Sequence, residues 1–250
     1  EHDRNSVSVF FGENKMKSVN ISLRHYLLPN IIEDGWKFVS ILAVFSLIAA
    51  LVWLPLGIIP LLLTIICFYN FRDPVRITPI MNDAVISPAD GKIISITREK
   101  GPDALGMERK NFTRICIYNN IMDSHVCRIP IKGKILKTFY DAGKGITKNF
   151  NKNDIGNEKN MFVLRHDAKT DLIVQQTAFF CNKRLINKIK TGDEVLTGSR
   201  FGHTRFGAYI DLFLPEKIEP QVCIGQTMIA GETLIADIKS DAPRIEGEIR

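Results

Sequence analysis

The sequence predicts a mainly β protein of the α+β class: a compact, barrel-sandwich-like domain preceded by an apolar helical hairpin. Three observations carry this. No charged residue occurs from Phe38 to Tyr69. From residue 83 onward, short β-branched runs alternate with Gly, Pro, Asn or Asp, the punctuation of short antiparallel strands. Two strand–turn–strand patterns also each occur twice.

At 250 residues the chain is long enough for one domain and an appendage. Four parts are expected. Residues 1–34 form an N-terminal segment, whose polar stretch before Met16 is a candidate for a foreign extension. Residues 35–72 form a membrane-associated hairpin, 73–240 a β-rich domain and 241–250 a tail.

The charge-free run would span roughly 48 Å as one helix, against about 30 Å of bilayer hydrocarbon. Leu54-Pro55-Leu56-Gly57, with Pro60 following, breaks it near the middle. Helices are therefore predicted over about 38–53 and 58–70. Each is at or below spanning length, so a re-entrant hairpin and two full spans both remain open. A soluble core hairpin is disfavoured, because core helices seldom stay apolar on every face. Lys37 before the run and Arg72 and Arg76 after it predict that both flanks lie in the cytoplasm.

Strands are predicted at Ala84–Ser87, Lys92–Thr97, Thr113–Tyr118, Phe162–Arg165 and Asp171–Val174. A helix is predicted from about Ala178 to Lys190, where Leu185, Ile186 and Ile189 fall at helical spacing. The first repeat is P-x-x-G-K-I, at Pro88–Ile93 and Pro130–Ile135. The second is G-[DQ]-x-x-x-x-G, at Gly192–Gly198 and Gly225–Gly231. The glycines read as turn residues.

Net charge is +6. Beside an apolar anchor, this favours an anionic leaflet over nucleic acid. Cys67, Cys116, Cys127, Cys181 and Cys223 show neither C-x-x-C nor Cys/His ligand spacing, which argues against a zinc site and against a disulfide-stapled secreted domain.

Asp90 sits in Ser-Pro-Ala-Asp-Gly-Lys, and alone it reads as an Asp-Gly turn. His125 sits in Asp-Ser-His-Val-Cys-Arg-Ile-Pro and alone reads as a packed or solvated histidine. The segment Gly198-Ser-Arg-Phe-Gly-His-Thr-Arg-Phe-Gly-Ala-Tyr-Ile-Asp-Leu-Phe-Leu-Pro215 is more specific. It resembles the R-F-G-x-x-R-F-G-S-x-x-D-x-x-x-P signature of the short type of phosphatidylserine decarboxylase. Asn70-Phe-Arg-Asp-Pro-Val-Arg, Ser87-Pro-Ala-Asp-Gly, His125 before Arg128-Ile-Pro, and Asn157-Glu-Lys-Asn extend the likeness, in order, over roughly residues 35–237.

The resemblance implies a bacterial-type, membrane-bound proenzyme with its catalytic domain on the cytoplasmic face. Cleavage is implied after Gly207 by a serine at position 208, whose hydroxyl attacks the preceding carbonyl and leaves a pyruvoyl group. His125 is implied as the base and Asp90 as the carboxylate that orients it. The self-derived pyruvoyl then acts as electron sink for decarboxylating phosphatidylserine to phosphatidylethanolamine, with no metal and no pyridoxal phosphate.

Ala208 departs from this pattern at the decisive position. A methyl group cannot attack Gly207, so the chain is expected to stay uncut and inactive. Every other signature position is intact, which favours a deliberate Ser-to-Ala exchange over a naturally drifted pseudoenzyme. Gly198-Ser199 is a second Gly-Ser pair, but it lies in a repeat turn and off the cleavage position. Arg72 and Arg205 are headgroup-binding candidates by charge only, and an unpaired strand edge would permit a homodimer. The competing readings are a membrane-tethered biotinyl or lipoyl carrier, a phosphocarrier using His125, and a purely structural β domain. The first lacks a hairpin-tip lysine, the second a supporting histidine, and the third leaves residues 198–215 unexplained.

Overall fold

The structure, a computed structural model, describes residues 6–11, 15–20, 30–143, 156–168, 170–178 and 184–240. The chain divides into two compact units, Glu1–Val75 and Arg76–Arg250.

In the first unit, strands β1 (Ser6–Phe11) and β2 (Lys15–Asn20) form an antiparallel pair. Helix α1 spans Glu33–Val52 and helix α2 Leu54–Asn70. The pair is closed at its base by β3 (Asn30–Ile31) on β4 (Arg72–Asp73). Helix α1 starts at Glu33, five residues before the charge-free run, because Glu33 and Asp34 in its first turn favour the positive end of the helix dipole. The break is one extended residue, Trp53, rather than a 54–57 turn. Pro55 falls in the first turn of α2, where no N–H is required.

Small residues let the helices approach closely. Ser46 Oγ donates to the Gly57 carbonyl at 2.9 Å, and a Cβ on Gly57 would lie 2.5 Å from that of Ala50. Such contacts hold helix pairs where no hydrophobic drive exists between them. The outward residues are large and apolar, with Leu51 80% and Ile41 68% exposed. Helix α1 is long and apolar enough to cross a membrane, and α2 is a shorter apolar helix.

The second unit is mainly β. Its strands are β5 (Ala84–Ile86), β6 (Gly91–Lys100), β7 (Asn111–Asn119), β8 (Val126–Arg128), β9 (Gly133–Asp141), β10 (Lys159–Arg165) and β11 (Asp171–Ala178). They continue with β12 (Leu185–Asn187), β13 (Glu194–Val195), β14 (Arg200–Thr204), β15 (Ala208–Pro215), β16 (Thr227–Met228) and β17 (Leu234–Asp237). An eight-stranded sheet curls in the order β13-β9-β10-β11-β15-β7-β6-β16, beside a three-stranded sheet β12-β14-β8 and the pair β17-β5. The five predicted strand segments fall on β5, β6, β7, β10 and β11.

The predicted helix over 178–190 is corrected at its C-terminal part. Leu185–Asn187 form β12, paired antiparallel with Gly202–Thr204, while residues 179–183 lie outside the described residues. Three apolar residues within a short window suit either period, and pairing with β14 decides it.

Period-two alternation builds the core on both faces of the central strands. Phe162, Leu164, Leu172, Val174, Ile210, Leu212 and Leu214 face the main core. Met161, Val163, Ile173 and Phe213 face a smaller cluster with Leu105 and Phe112. The first-repeat glycines serve close approach rather than a turn alone. A Cβ on Gly91 would lie 2.2 Å from the Tyr118 carbonyl oxygen, and one on Gly133 2.2 Å from that of Arg165.

This topology gathers three chain positions at one end of the sheet. Strands β15, β7 and β6 are consecutive and antiparallel. Strand β7 ends at Asn119 where β15 begins at Ala208 and β6 begins one residue after Asp90.

Candidate active site

Ala208 is fully buried and pairs with Asn119 of β7 on one side and Ala178 of β11 on the other. Directly opposed residues of an antiparallel pair project to the same face. The side chain at 208 therefore shares a face with that of Asn119.

Asn119 is the hub of the site. Its Nδ2 donates to the Asp90 carbonyl and to the Ser124 carbonyl, both at 2.9 Å. Two carbonyl oxygens around one end of the amide fix that end as the nitrogen. The other end, Oδ1, lies 2.8 Å from Nδ1 of His125. An amide oxygen only accepts, so Nδ1 carries a proton, and in the neutral form of the ring Nε2 is the basic nitrogen. His125 is 1% exposed, and its carbonyl accepts the Thr204 N–H at 2.9 Å.

Asp90 is also buried. Its Oδ1 accepts the Ala230 N–H at 2.7 Å and its Oδ2 meets Arg76 Nη2 at 2.6 Å. Asp90, His125 and position 208 are thus brought together around Asn119. Arg76, read from sequence as a basic flank of the apolar run, instead neutralises Asp90. A buried carboxylate with a salt bridge and an amide donor meets its desolvation cost locally. Cys127, two residues beyond His125, is no nucleophile. Burial pushes its thiol up to about 12, against a weaker opposing hydrogen bond from Gln176.

The turn before Ala208 is strained. Phe206 has φ +60° and Gly207 φ +88°, and for a bulky residue the left-handed region costs roughly 1–2 kcal/mol. Neighbouring groups hold it. Arg205 N–H donates to the Arg184 carbonyl at 2.9 Å, and the Arg184 guanidinium lies 5.6 Å from the Phe206 ring centre. Glu158, of the Asn157-Glu-Lys-Asn motif, is 1% exposed. Its carboxylate accepts the Arg184 N–H at 2.7 Å and the Tyr140 hydroxyl at 2.7 Å. The motif thus supports the Arg184–Phe206 contact from below.

Ser199 is exposed and its hydroxyl donates to the Leu196 carbonyl at 2.6 Å. Of the two arginines named by charge, Arg72 stacks on Tyr69 in the first unit, and Arg205 contributes its backbone to the strained turn. Among the described residues, no three His, Cys, Asp or Glu side chains gather as metal ligands. Sequence reasoning missed Asn119 and Arg76. The position of Asn119 as the last β7 residue before the His125 segment is the signal that could have found it.

A family model described as Phosphatidylserine decarboxylase matches residues 63–236. The chain is 41% identical over 217 residues to the "Phosphatidylserine decarboxylase proenzyme" of Cereibacter sphaeroides, covering 87% of this chain and 94% of that protein. It is 39% identical over 219 residues to the protein of that name from Ruegeria pomeroyi, covering 88% of this chain and 100% of the relative. A third protein of that name, from Beijerinckia indica, is 35% identical over 227 residues, covering 91% and 97% of the two chains.

Proposed function

Because this chain belongs to the phosphatidylserine decarboxylase family, we propose that it is the proenzyme of a membrane-tethered phosphatidylserine decarboxylase, held before self-cleavage by Ala208. One observation carries the reading. Position 208 begins a strand directly opposite the asparagine that sets the tautomer of His125, immediately after two residues of positive φ.

The surroundings of position 208 fit a serine that is to be converted. It is buried, flanked by Ala178 and Asn119, and on the face of the His125 partner. Residue 208 itself does not fit, since alanine carries no oxygen to attack Gly207. In a serine-bearing chain, a pyruvoyl group formed there supplies the electron sink that loss of the headgroup carboxylate requires.

The roles of the other residues follow from their contacts. Asn119 holds Nδ1–H of His125, so Nε2 is the atom that takes the hydroxyl proton of a serine at 208. Asp90 fixes the floor of the site through Arg76 and Ala230, and its backbone carbonyl accepts from Asn119, the residue that holds the imidazole. The strain at Phe206, one residue before the Gly207–Ala208 bond, is stored next to the bond to be cut. The α1–α2 pair tethers the head to a cytoplasmic membrane, with Lys37 and Arg72 on the cytoplasmic side.

The decisive experiment restores the hydroxyl. Ala208→Ser is expected to divide the chain into residues 1–207 and 208–250, the smaller piece starting with a hydroxylamine-reactive carbonyl, and to confer decarboxylation of phosphatidylserine. An intact-mass spectrum of Ala208→Ser containing only full-length chain refutes the reading.

A further inference from the structure

The arginines of the second unit differ in how much of the guanidinium they use. Arg165 places Nε and Nη2 on the two oxygens of Asp171, at 2.7 and 3.1 Å. Arg114 does the same on Asp211, at 2.9 and 3.2 Å, and adds Nη1 to Glu99 at 3.1 Å. Arg76 meets Asp90 through Nη2 alone. The two-pronged pairing is closed to it, because the second Asp90 oxygen takes the Ala230 N–H. Among the described residues, no other acceptor bonds Arg76, so the N–H groups of Nε and Nη1 stay open to a ligand. Its side chain is only 17% exposed. A guanidinium so largely covered, with donors that the protein does not meet, calls for an explanation.

Its place supplies one. Guanidinium nitrogens lie roughly 2.3 Å apart, so the open donors are within about 5 Å of the Asp90 carboxylate that Nη2 touches. The main-chain carbonyl of Asp90 bonds Asn119, the strand partner of position 208. Asp90 therefore bridges from the reacting position to Arg76. In a phosphatidylserine headgroup, four bonds separate phosphorus from the amine nitrogen, about 5 Å when extended. A headgroup whose amine reaches position 208 carries its phosphodiester outward on that same scale.

We propose that Arg76 is the headgroup receptor: its Nε–H and Nη1–H bind the lipid phosphodiester while Nη2 stays on Asp90. This rests on the reading of the substrate as phosphatidylserine. The headgroup has two anionic groups, and the chemistry selects between them. An ion pair to the carboxylate would stabilise the ground state and oppose its loss as CO₂. The phosphodiester keeps its charge throughout, so holding it does not oppose the reaction. Asp90 cancels the charge of the guanidinium but not its remaining donors, and a guanidinium shared between carboxylate and phosphodiester keeps the two anions apart.

The test compares the full chain carrying Ala208→Ser with and without Arg76→Gln, on the cut fraction of each. The substrates are dihexanoyl phosphatidylserine dissolved as monomers and its phosphate methyl triester, which lacks the phosphodiester charge. Arg76→Gln is expected to lower kcat/KM for the diester about tenfold or more. The loss is expected in KM, with kcat within about threefold, because the contact is the same in ground and transition states. The triester is expected to change less than about threefold. Equal losses on both substrates would assign Arg76 to the support of Asp90 alone and overturn the proposal, as would an unchanged value for the diester. Should Arg76→Gln not cut, Arg76→Lys replaces it, since a lysine keeps a cation beside Asp90 but gives up the planar fork.

A second measurement needs neither cutting nor turnover. The Ala208 chain, with and without Arg76→Gln, is titrated calorimetrically with monomeric dihexanoyl phosphatidylethanolamine and with its methyl triester. The variant is expected to bind the diester about tenfold more weakly, and the triester as the parent does. Diester binding that is equal in the two chains, or absent from both, counts against the receptor. Displacement of the lipid by inorganic phosphate at equal concentration would make this a free-phosphate site and refute the headgroup assignment. Failure of Ala208→Ser itself to cut would instead strike the proposed function, leaving the titration to judge Arg76.

Discussion

Removing the Asn119 amide in a chain that carries Ala208→Ser tests the proposed role of His125 most directly. Asn119→Leu keeps approximate size but loses four hydrogen bonds: the acceptances from His125 Nδ1–H and, at 3.5 Å, from the Thr204 hydroxyl, and the donations to the Asp90 and Ser124 carbonyls. A buried hydrogen bond whose partner is left unsatisfied is worth about 1–3 kcal/mol. If the bond to Nδ1–H is what selects the reactive tautomer, its loss slows cutting by about 5- to 150-fold, at 1.36 kcal/mol per decade. Asn119→Asp keeps an acceptor for Nδ1–H but adds a negative charge beside the ring. That charge favours the imidazolium and moves the imidazole pKa up. Cutting needs the neutral ring, so the pH–rate curve of Asn119→Asp shifts to higher pH, whereas Asn119→Leu lowers the rate without that shift. Pulse-labelled chain from cell-free translation, followed by gel for the appearance of residues 208–250 across pH, measures both. Parent-like cutting by Asn119→Leu, in protein of unchanged circular dichroism, would refute the tautomer argument.

Two further outcomes follow from the packing around the site. Glu158→Gln gives up charge-assisted acceptance from Tyr140 and Arg184 and is expected to cost about 2 kcal/mol in denaturant unfolding. Tyr140 is raised to about 12, chiefly by its hydrogen bond to Glu158 and then by desolvation. The same variant should therefore bring the Tyr140 phenol back toward about 10, read by ultraviolet titration against a Tyr140→Phe control, and an unmoved curve contradicts the assignment. At the start of β11, burial alone would raise the Asp171 carboxyl, but hydrogen bonds from Arg165 and Lys110 outweigh it and leave its pKa lowered. A lowered folded-state pKa contributes stability above the unfolded value of about 3.9, and that stability is lost as pH falls through the folded value. Asp171→Asn should accordingly flatten the acid limb of stability against pH, and identical limbs would remove Asp171 from that role.

The hairpin and the strands were legible because their signals are local. An uncharged run with prolines near its middle states a broken helix, although only Pro55 sits at the break and Pro60 is taken inside α2, and β-branched runs such as Thr113–Tyr118 state a strand. The convergence of Asp90, His125 and position 208 was legible only through the order of motifs, since each residue alone reads as a turn or a packing position. What stayed hidden depends on pairing across distance. Leu185–Asn187 carry helical spacing but become a strand because Gly202–Thr204 offer them a ladder. Asn119 followed by Asn120 looks like a turn, and only the approach of Asp90 and Ser124 makes it the hub. Arg76 looked like a membrane flank because its partner lies 14 residues away, inside a turn.

The position of β15 has a consequence for what cutting does to the molecule. The bond after Gly207 lies at the entrance to an interior strand of the eight-stranded sheet. Residues 208–215 pair with β7 on one side, and residues 208–213 with β11 on the other. A nick there severs the polymer without opening the sheet. The released piece is a complementing fragment whose new terminus stays clamped between two neighbours. Removing it would require both β15 ladders, and those of β16 on β6 and β17 on β5, to part, so the two pieces should copurify under native conditions and separate only in denaturant. Maturation of such a chain is therefore a change of covalent connectivity inside an unchanged scaffold.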